Sequence, residues 1–326
     1  MDINMGMCIT VAETADWLRN RDNFLIITHR RPDGDTVGCA GGLAQGLREA
    51  GKTAYVLFNP EITPRYIRFV EEYWTLDGYI PEHTIIVDTA TNELFPINGD
   101  DYIGKISLCI DHHPSNSYYS ELTCLDKTAA SCGEVIYEIL IALSGNISPK
   151  SAECLYAAVS TDTGCFAFAN TTANTLRVAS LLVYAGASNR KLNRLLFRTK
   201  TRSRIKIEGM INSGLEFYFN GAVAIATITR AMMDSAKADE DDIDDISSMP
   251  GIVKGVSTGI TIREMKSTHN CKISVRTSPQ VDANAISQRF GGGGHPMAAG
   301  FMLDMPVEEI KEALLAELKD FYPECS

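Results

Sequence analysis

No two cysteines are spaced C-x-x-C, no run of about 18 apolar residues occurs, and basic residues are outnumbered by acidic ones. Each absence removes a class of protein. Without paired cysteine spacing a zinc knuckle is disfavoured. The nine cysteines, an odd number, point to free thiols in a reducing cytoplasm and not to a disulfide framework. Without a long apolar run there is no membrane span. With 30 Lys and Arg against 41 Asp and Glu, the net charge is −11. That argues against coating duplex nucleic acid by bulk electrostatics. It leaves a small nucleotide open, because a bound cation can supply local positive charge. The opening "MDINMGMCITVAETADWL" has no basic stretch followed by an apolar core, so no signal peptide is expected and the location read from sequence is cytoplasmic.

What is present is enough for two domains: 326 residues, 45% of them hydrophobic. The first half alternates short apolar runs with helical patterns. "NFLIIT", "TAYVLF", "HTIIVD" and "KISLCID" read as strands. "GCAGGLAQGLREAG", closed by Gly51, "AASCGEVIYEILIAL" and "SPKSAECLYAAVS" read as helices. This predicts an α/β fold, a mostly parallel sheet with helices on both faces, whose ligands bind outside the carboxyl ends of the strands. Residues 190–206 carry eight basic residues and no acid, and are expected to form a solvated helical connector or a surface near phosphate. "DEDDIDD", 239–245, reads as a solvated loop or helix start. "GAVAIATIT", "STGITIRE" and "CKISVRT" read as strands of a smaller α/β domain. The expected division is a catalytic metal-binding domain over 1–190, a basic helical linker over 191–214 and a substrate-binding domain over 215–326. No internal repeat stands out.

Acids and histidines collect where strands end. His29, Asp33 and Asp35 follow "FLIIT"; Asp88 ends "TIIVD"; Asp111, His112 and His113 end "ISLCID"; Asp162 follows the helix "AECLYAAVST". A single aspartate in such a place is more often a helix cap or turn residue. Arg30 and Arg31 could also neutralise Asp33 and Asp35 as a plain ion-pair cluster. Four segments converging on one sheet edge are hard to explain as caps, because so many like charges repel unless cations sit among them. The ligand count suits two metals, and mixed nitrogen and carboxylate donors suit Mn²⁺ better than Mg²⁺. Zinc stays open as an alternative, although no cysteine cluster supports it.

The pieces "HRRPDGDTVG", "IIVDTA", "IDHHPSN" and "STDTGCF" resemble the DHH phosphoesterase superfamily, and "RFGGGGHPMAAGF" resembles the glycine-rich signature of its DHH-associated C-terminal domain. The short two-domain length is similar to the branch of bifunctional oligoribonucleases and PAP phosphatases; RecJ-type exonucleases are usually longer. The resemblance implies one ion held by His29, Asp33 and Asp88. It implies a second held by Asp35, Asp88, His112 and Asp162, with Asp88 bridging. Asp111 would stand behind them and orient a histidine by accepting its N–H, and His113 would face the scissile phosphate. Cys39 stands where many relatives have serine, a departure expected to touch helix packing more than chemistry.

Asp282 reads as the N-cap of a helix "DANAISQRF", and "GGGG" after it as a loop with exposed N–H groups suited to phosphate. Gly292, Gly293, Gly294 and His295, with Arg276 from the neighbouring strand "ISVRTS", are the candidate substrate grip, arginine being the natural bidentate phosphate partner. His83 and His269 are expected to be structural or exposed.

The function expected is a metal-dependent phosphodiesterase and phosphomonoesterase. It would convert short oligoribonucleotides to mononucleotides and 3′-phosphoadenosine 5′-phosphate (pAp) to AMP, with a cleft between domains limiting substrate length. The expected cofactor is two Mn²⁺ per chain, with Mg²⁺ or Co²⁺ as substitutes. The expected partners are short oligoribonucleotides or small nucleotides, with a homodimer as the candidate assembly. The rival readings are a cyclic- or linear-dinucleotide phosphodiesterase, a RecJ-like single-strand exonuclease, an inorganic pyrophosphatase and a nucleotide-binding regulator without turnover.

Overall fold

A computed structural model describes residues 6–243, 246–265 and 270–323. They fall into two compact units, one running to Thr199 and the other starting at Lys200.

The first unit is built on six strands: β1 (Met7–Cys8), β2 (Phe24–Ile27), β3 (Ala54–Val56), β4 (His83–Val87), β5 (Leu108–Asp111) and β6 (Leu122–Leu125). All of their pairings are parallel, in the order β1-β6-β5-β4-β2-β3. The runs "FLII" and "TIIV" are buried throughout, as expected for strands covered on both faces. The chain order reverses between β2 and β4, so the fold places a crevice at their carboxyl ends.

Helices flank this sheet unequally. α1 (Val11–Arg19), α2 (Gly34–Glu49), α4 (Cys132–Ser144), α5 (Pro149–Asp162) and α6 (Ala173–Tyr184) share one core with Phe24, Ile26, Ile85, Val87, Leu108 and Ile110. α3 (Pro64–Ile67) lies beside it. The opposite face, Leu25, Ile27, Ile86 and Cys109, is covered by Phe95, Ile106, Tyr79, Tyr102 and Tyr119 from the segments that connect the strands.

α2 and α5 pack antiparallel at close range. A Cβ on Gly38 would lie 2.5 Å from the Cys154 carbonyl oxygen, and one on Gly34 would lie 2.5 Å from the Thr161 side chain. Glycine at these positions lets the start of α2 touch the end of α5. That brings Asp35 beside Asp162. α2 begins at Gly34, four residues before the helix read from sequence, because Asp33 caps it.

Residues 189–213 are not one helix. α7 (Asn189–Asn193) runs into a π-turn at Arg194–Arg198, and α8 (Arg202–Ser213) follows after a break capped by Thr201.

The second unit is a mixed sheet of β7 (Glu216–Tyr218), β8 (Val223–Ile228), β9 (Thr258–Glu264), β10 (Asn270–Thr277), β11 (Gly293–His295) and β12 (Ala298–Asp304), in the order β11-β12-β10-β9-β8-β7. β8 and β9 are parallel and the other pairs antiparallel. α10 (Ala283–Gln288) and α11 (Val307–Leu318) supply one core, with Val275, Ala299 and Phe301. α8 and α9 (Arg230–Ala236) build another with Ala226 and Ile228. Asp242 departs from the solvated loop expected over 239–245. It is buried, accepting from the Thr201 hydroxyl and the Asp239 amide. Asp244 and Asp245 of that run lie outside the described residues.

Candidate metal centre

The carboxyl ends of β2, β4 and β5, the start of α2 and the end of α5 deliver six nitrogen or carboxylate donors to one place. His29, Asp33 and Asp88 offer one atom each, and so do Asp35, His112 and Asp162; within each set the atoms lie within 4.8 Å of one another. These are the residues in which the sequence reading placed two ions, and the fold brings them together.

Each side chain is held by a local cause. His29 follows β2, and its Nδ1 lies 2.8 Å from the Arg30 carbonyl oxygen. With Nδ1–H donating there, the Nε2 lone pair faces Asp33 at 3.6 Å and Asp88 at 3.8 Å. Asn59 secures this corner by donating to Thr28 Oγ1 and the His29 carbonyl. Asp33 is both a donor candidate and a helix cap. Its Oδ1 accepts the Asp35 and Thr36 amides at 3.0 and 3.2 Å, which leaves Oδ2 outside the cap.

Asp35 is clamped by groups that are distant in sequence. Oδ2 accepts the Cys132 amide at 2.8 Å, and Oδ1 accepts the Gly133 amide at 3.1 Å and the Cys39 thiol at 3.2 Å. The start of α4 thus points at this carboxylate. Cys39 lies in the core, as its expected packing role requires, and its thiol also touches the site. Burial pushes its thiol well above the usual range, so it donates a proton and is not a thiolate ligand.

Asp88 leaves β4 with a left-handed backbone, φ 56°, a conformation aspartate tolerates better than most residues. Its side chain is 3% exposed and Oδ1 has no hydrogen-bond partner. His112 Nε2 stands 3.4 Å from that oxygen and 3.8 and 3.7 Å from Asp35 and Asp162. The His112 Nδ1 lies 3.1 Å from the Ala129 carbonyl, which fixes the tautomer and aims the Nε2 lone pair at the three carboxylates.

Asp111 is fully occupied elsewhere. Oδ1 accepts the His112 and His113 amides and His113 Nδ1, the last at 2.8 Å, and Oδ2 accepts the Asn116 amide at 2.6 Å. It orients His113. His113 Nδ1 also lies 3.6 Å from Asp88, but that atom is engaged with Asp111.

The electrostatics follow from crowding. Burial, then the charges of Asp35 and Asp33, push Asp88 well above the usual carboxylate range. Burial and the Asp35 charge push Asp162 up to about 7. Burial would pull His112 down, but the carboxylates of Asp35 and Asp162 outweigh it and raise it. Burial would raise Asp111, yet its contact with His113 holds it low. An orphaned buried carboxylate oxygen among acids that repel, faced by imidazole lone pairs, fits a divalent cation.

The second unit brings Arg276 and His295 to one side of its sheet. Both stand in register with Ala298 on β12, one from each flank, so their side chains leave the same face with only a methyl between them. The Arg276 guanidinium donates to Ser247 Oγ at 3.2 Å and to the Val275 carbonyl. The glycine run differs from the open loop expected. Gly293–His295 form β11, the Gly292 amide donates to the Ser287 carbonyl and the Gly294 amide to Asn284 Oδ1. These amides close the helix and start the strand, so they are not free for phosphate. Gly292 is demanded by packing, since a Cβ there would lie 2.3 Å from the Gly300 oxygen.

His83 is structural, packed against Trp17 and Phe24; His269 lies outside the described residues. The sequence reading missed the Cys132 and Gly133 amides, the Ala129 carbonyl and Asn116. Of these, only Asn116, three residues after the paired histidines, had a local signal.

Residues 23–159 match the DHH family, N-terminal domain, and residues 220–324 match the DHHA1 domain. The bifunctional oligoribonuclease and PAP phosphatase NrnA of Thermus thermophilus is 32% identical, over 90% of this chain and 89% of that protein. The protein of the same name from Bacillus subtilis is 29% identical, over 86% and 88%. Among solved structures, an exopolyphosphatase-related protein from Bacteroides fragilis superposes with a TM-score of 0.86 at 22% identity, covering 97% of both chains. Exonuclease RecJ bound to manganese superposes at 0.52 with 13% identity, over 96% of this chain and 94% of that one. At such identities these two structures speak for the fold alone.

Proposed function

From the premise that this chain belongs to the DHH family and joins that domain to a DHHA1 domain, we propose that it is a metal-dependent phosphoesterase converting short oligoribonucleotides to mononucleotides and pAp to AMP. The observation that carries this reading is the six-donor cluster at the carboxyl ends of β2, β4 and β5, with its orphaned Asp88 oxygen. The bifunctional relatives support the substrate class.

In this reading His29, Asp33 and Asp88 hold one ion, and Asp35, His112 and Asp162 hold a second together with Asp88. Mn²⁺ is the favoured ion, because imidazole nitrogens stand among the carboxylates as candidate ligands. Such ions supply Lewis acidity toward a phosphoryl oxygen and ionise water at neutral pH. The chain's own groups do the rest. Asp111 accepts from His113 Nδ1–H, which leaves His113 Nε2 to face the phosphate; when the ring carries a proton on both nitrogens, Nε2–H donates to a phosphoryl oxygen as charge builds there. Arg276 and His295 bind a further phosphate of the substrate. Short substrates are favoured because a net charge of −11 works against holding a long phosphate backbone.

The test is a product-resolved assay with Mn²⁺ on di- to decaribonucleotides, pAp, cyclic dinucleotides and pyrophosphate. Cleavage of diribonucleotides and pAp ahead of the others is expected. Preference for a long single strand or a cyclic dinucleotide would replace this reading with one of its rivals.

A further inference from the structure

Three of the six donors trace back to one short segment. The Ala129 carbonyl fixes the His112 tautomer, and the Cys132 and Gly133 amides hold both oxygens of Asp35. Asn170 donates to the Ala130 carbonyl and to the Asp162 carbonyl, each at 3.1 Å, so it ties the same segment to the end of α5.

The segment is itself anchored by a buried acid. Glu134, 1% exposed, lies one turn into α4. Its Oε1 accepts the Ala130 amide at 3.1 Å and the Thr175 hydroxyl at 2.7 Å, and its Oε2 accepts the Asn174 amide at 2.8 Å. Burying a carboxylate is costly, and here three neutral donors hold it between the segment and the start of α6. On the other side of the cluster, His29 is set by the Arg30 carbonyl and Asp33 by the Asp35 and Thr36 amides, all from the β2–α2 connection and the first turn of α2.

Resting on the reading that the cluster binds divalent cations, we propose that Glu134 and Asn170 are positioning residues for one half of it. They set the affinity of the Asp35, His112 and Asp162 side and leave the His29 and Asp33 side alone. The link is geometric. If Ala129–Gly133 shifts, the Asp35 carboxylate loses two amides, the His112 ring loses the acceptor that fixes its tautomer, and Asp162 loses its tie. Partners of this kind change metal affinity by about 10- to 100-fold.

The experiment is Mn²⁺ titration of the chelator-treated full chain by calorimetry, paired with thermal unfolding without metal. Wild type should show two classes of ion. Glu134→Ala and Asn170→Ala should weaken one class by about 10- to 100-fold and leave the other unchanged. The Mn²⁺ concentration for half-maximal hydrolysis should rise in parallel, with most of kcat recovered at saturation. Glu134→Gln keeps the shape and an acceptor oxygen, and should restore binding. Val178→Ala, a buried cavity on α6, controls for lost stability and should lower Tm without separating the two classes. Should Glu134→Ala fail to fold, the exposed Asn170 decides. Unchanged isotherms in the variants, or equal weakening of both classes, would overturn the proposal while leaving the metal reading intact. A wild type that binds no divalent cation would end the metal reading, and this inference with it.

Discussion

Replacing Asp88 with Asn removes one negative charge from the middle of the cluster at nearly constant size. Asp88 is 3% exposed, its Oδ1 has no partner, and burial with the charges of Asp35 and Asp33 lifts its pKa well above the usual range. Where it is ionised in metal-free protein, this carboxylate is therefore held in the fold at a cost. An unsatisfied buried acceptor costs about 1–3 kcal/mol, and asparagine brings N–H donors that can meet the neighbouring carboxylates. Asp88→Asn should stabilise the metal-free protein by that amount. For a unit of this size, about 2–4 °C per kcal/mol, Tm should rise by about 2–12 °C. The same change should abolish most of the gain from metal. At a free concentration of about 100 times Kd, an ion stabilises the wild type by about 2.7 kcal/mol, and the variant lacks the shared carboxylate that both ions would use. The assay is thermal unfolding of both proteins in chelator and across a Mn²⁺ titration. A lower metal-free Tm in the variant, or equal metal-induced shifts in the two proteins, would refute the reasoning.

Three other outcomes follow from the same geometry. Asp162 is raised from 3.8 to about 7, so the folded state binds the extra proton. Its contribution to metal-free stability is full below about pH 4 and is lost as pH rises to about 7; melts across that range should show the decline shrinking in Asp162→Asn, and an unchanged slope would contradict it. Arg276→Ala removes a charge-assisted contact worth about 1.5–3 kcal/mol, so kcat/KM for pAp and a diribonucleotide should fall about ten- to 150-fold, mostly through KM; an unaltered KM would take Arg276 out of the substrate grip. Cys39→Val keeps the volume but removes the donor 3.2 Å from Asp35 Oδ1, and should weaken Mn²⁺ binding where Cys39→Ser does not; equal binding by calorimetry would return Cys39 to a packing role.

Much of the candidate metal centre was legible because parallel strands buried on both faces are short apolar runs with abrupt ends. An acid or histidine just past "FLII", "TIIV" or "SLCI" lands on one edge of one sheet. Asp33 shows why single residues mislead: it is a helix cap and a candidate ligand at once. The start of α2 was read late because Pro32, Asp33 and Gly34 look like a turn. What holds Asp35 was not legible at all, since its amide donors are 97 and 98 residues away and backbone amides leave no mark in composition. β11 escaped because glycine has little strand preference, and only pairing with Ala298–Gly300 makes it a strand. Asp242 sits in an acidic run that composition alone assigns to solvent, yet the Thr201 hydroxyl and Asp239 amide bury it.

The most direct measurement is hydrolysis of pAp and of a diribonucleotide by enzyme stripped with chelator, followed by stepwise return of Mn²⁺ while bound ions are counted. Turnover should be absent in the stripped protein and rise with the second ion bound, and Asp35→Ala should block that step while the protein stays folded. Full turnover without metal, or none with both ions bound, would contradict the assignment of this cluster to metal-dependent phosphoester hydrolysis.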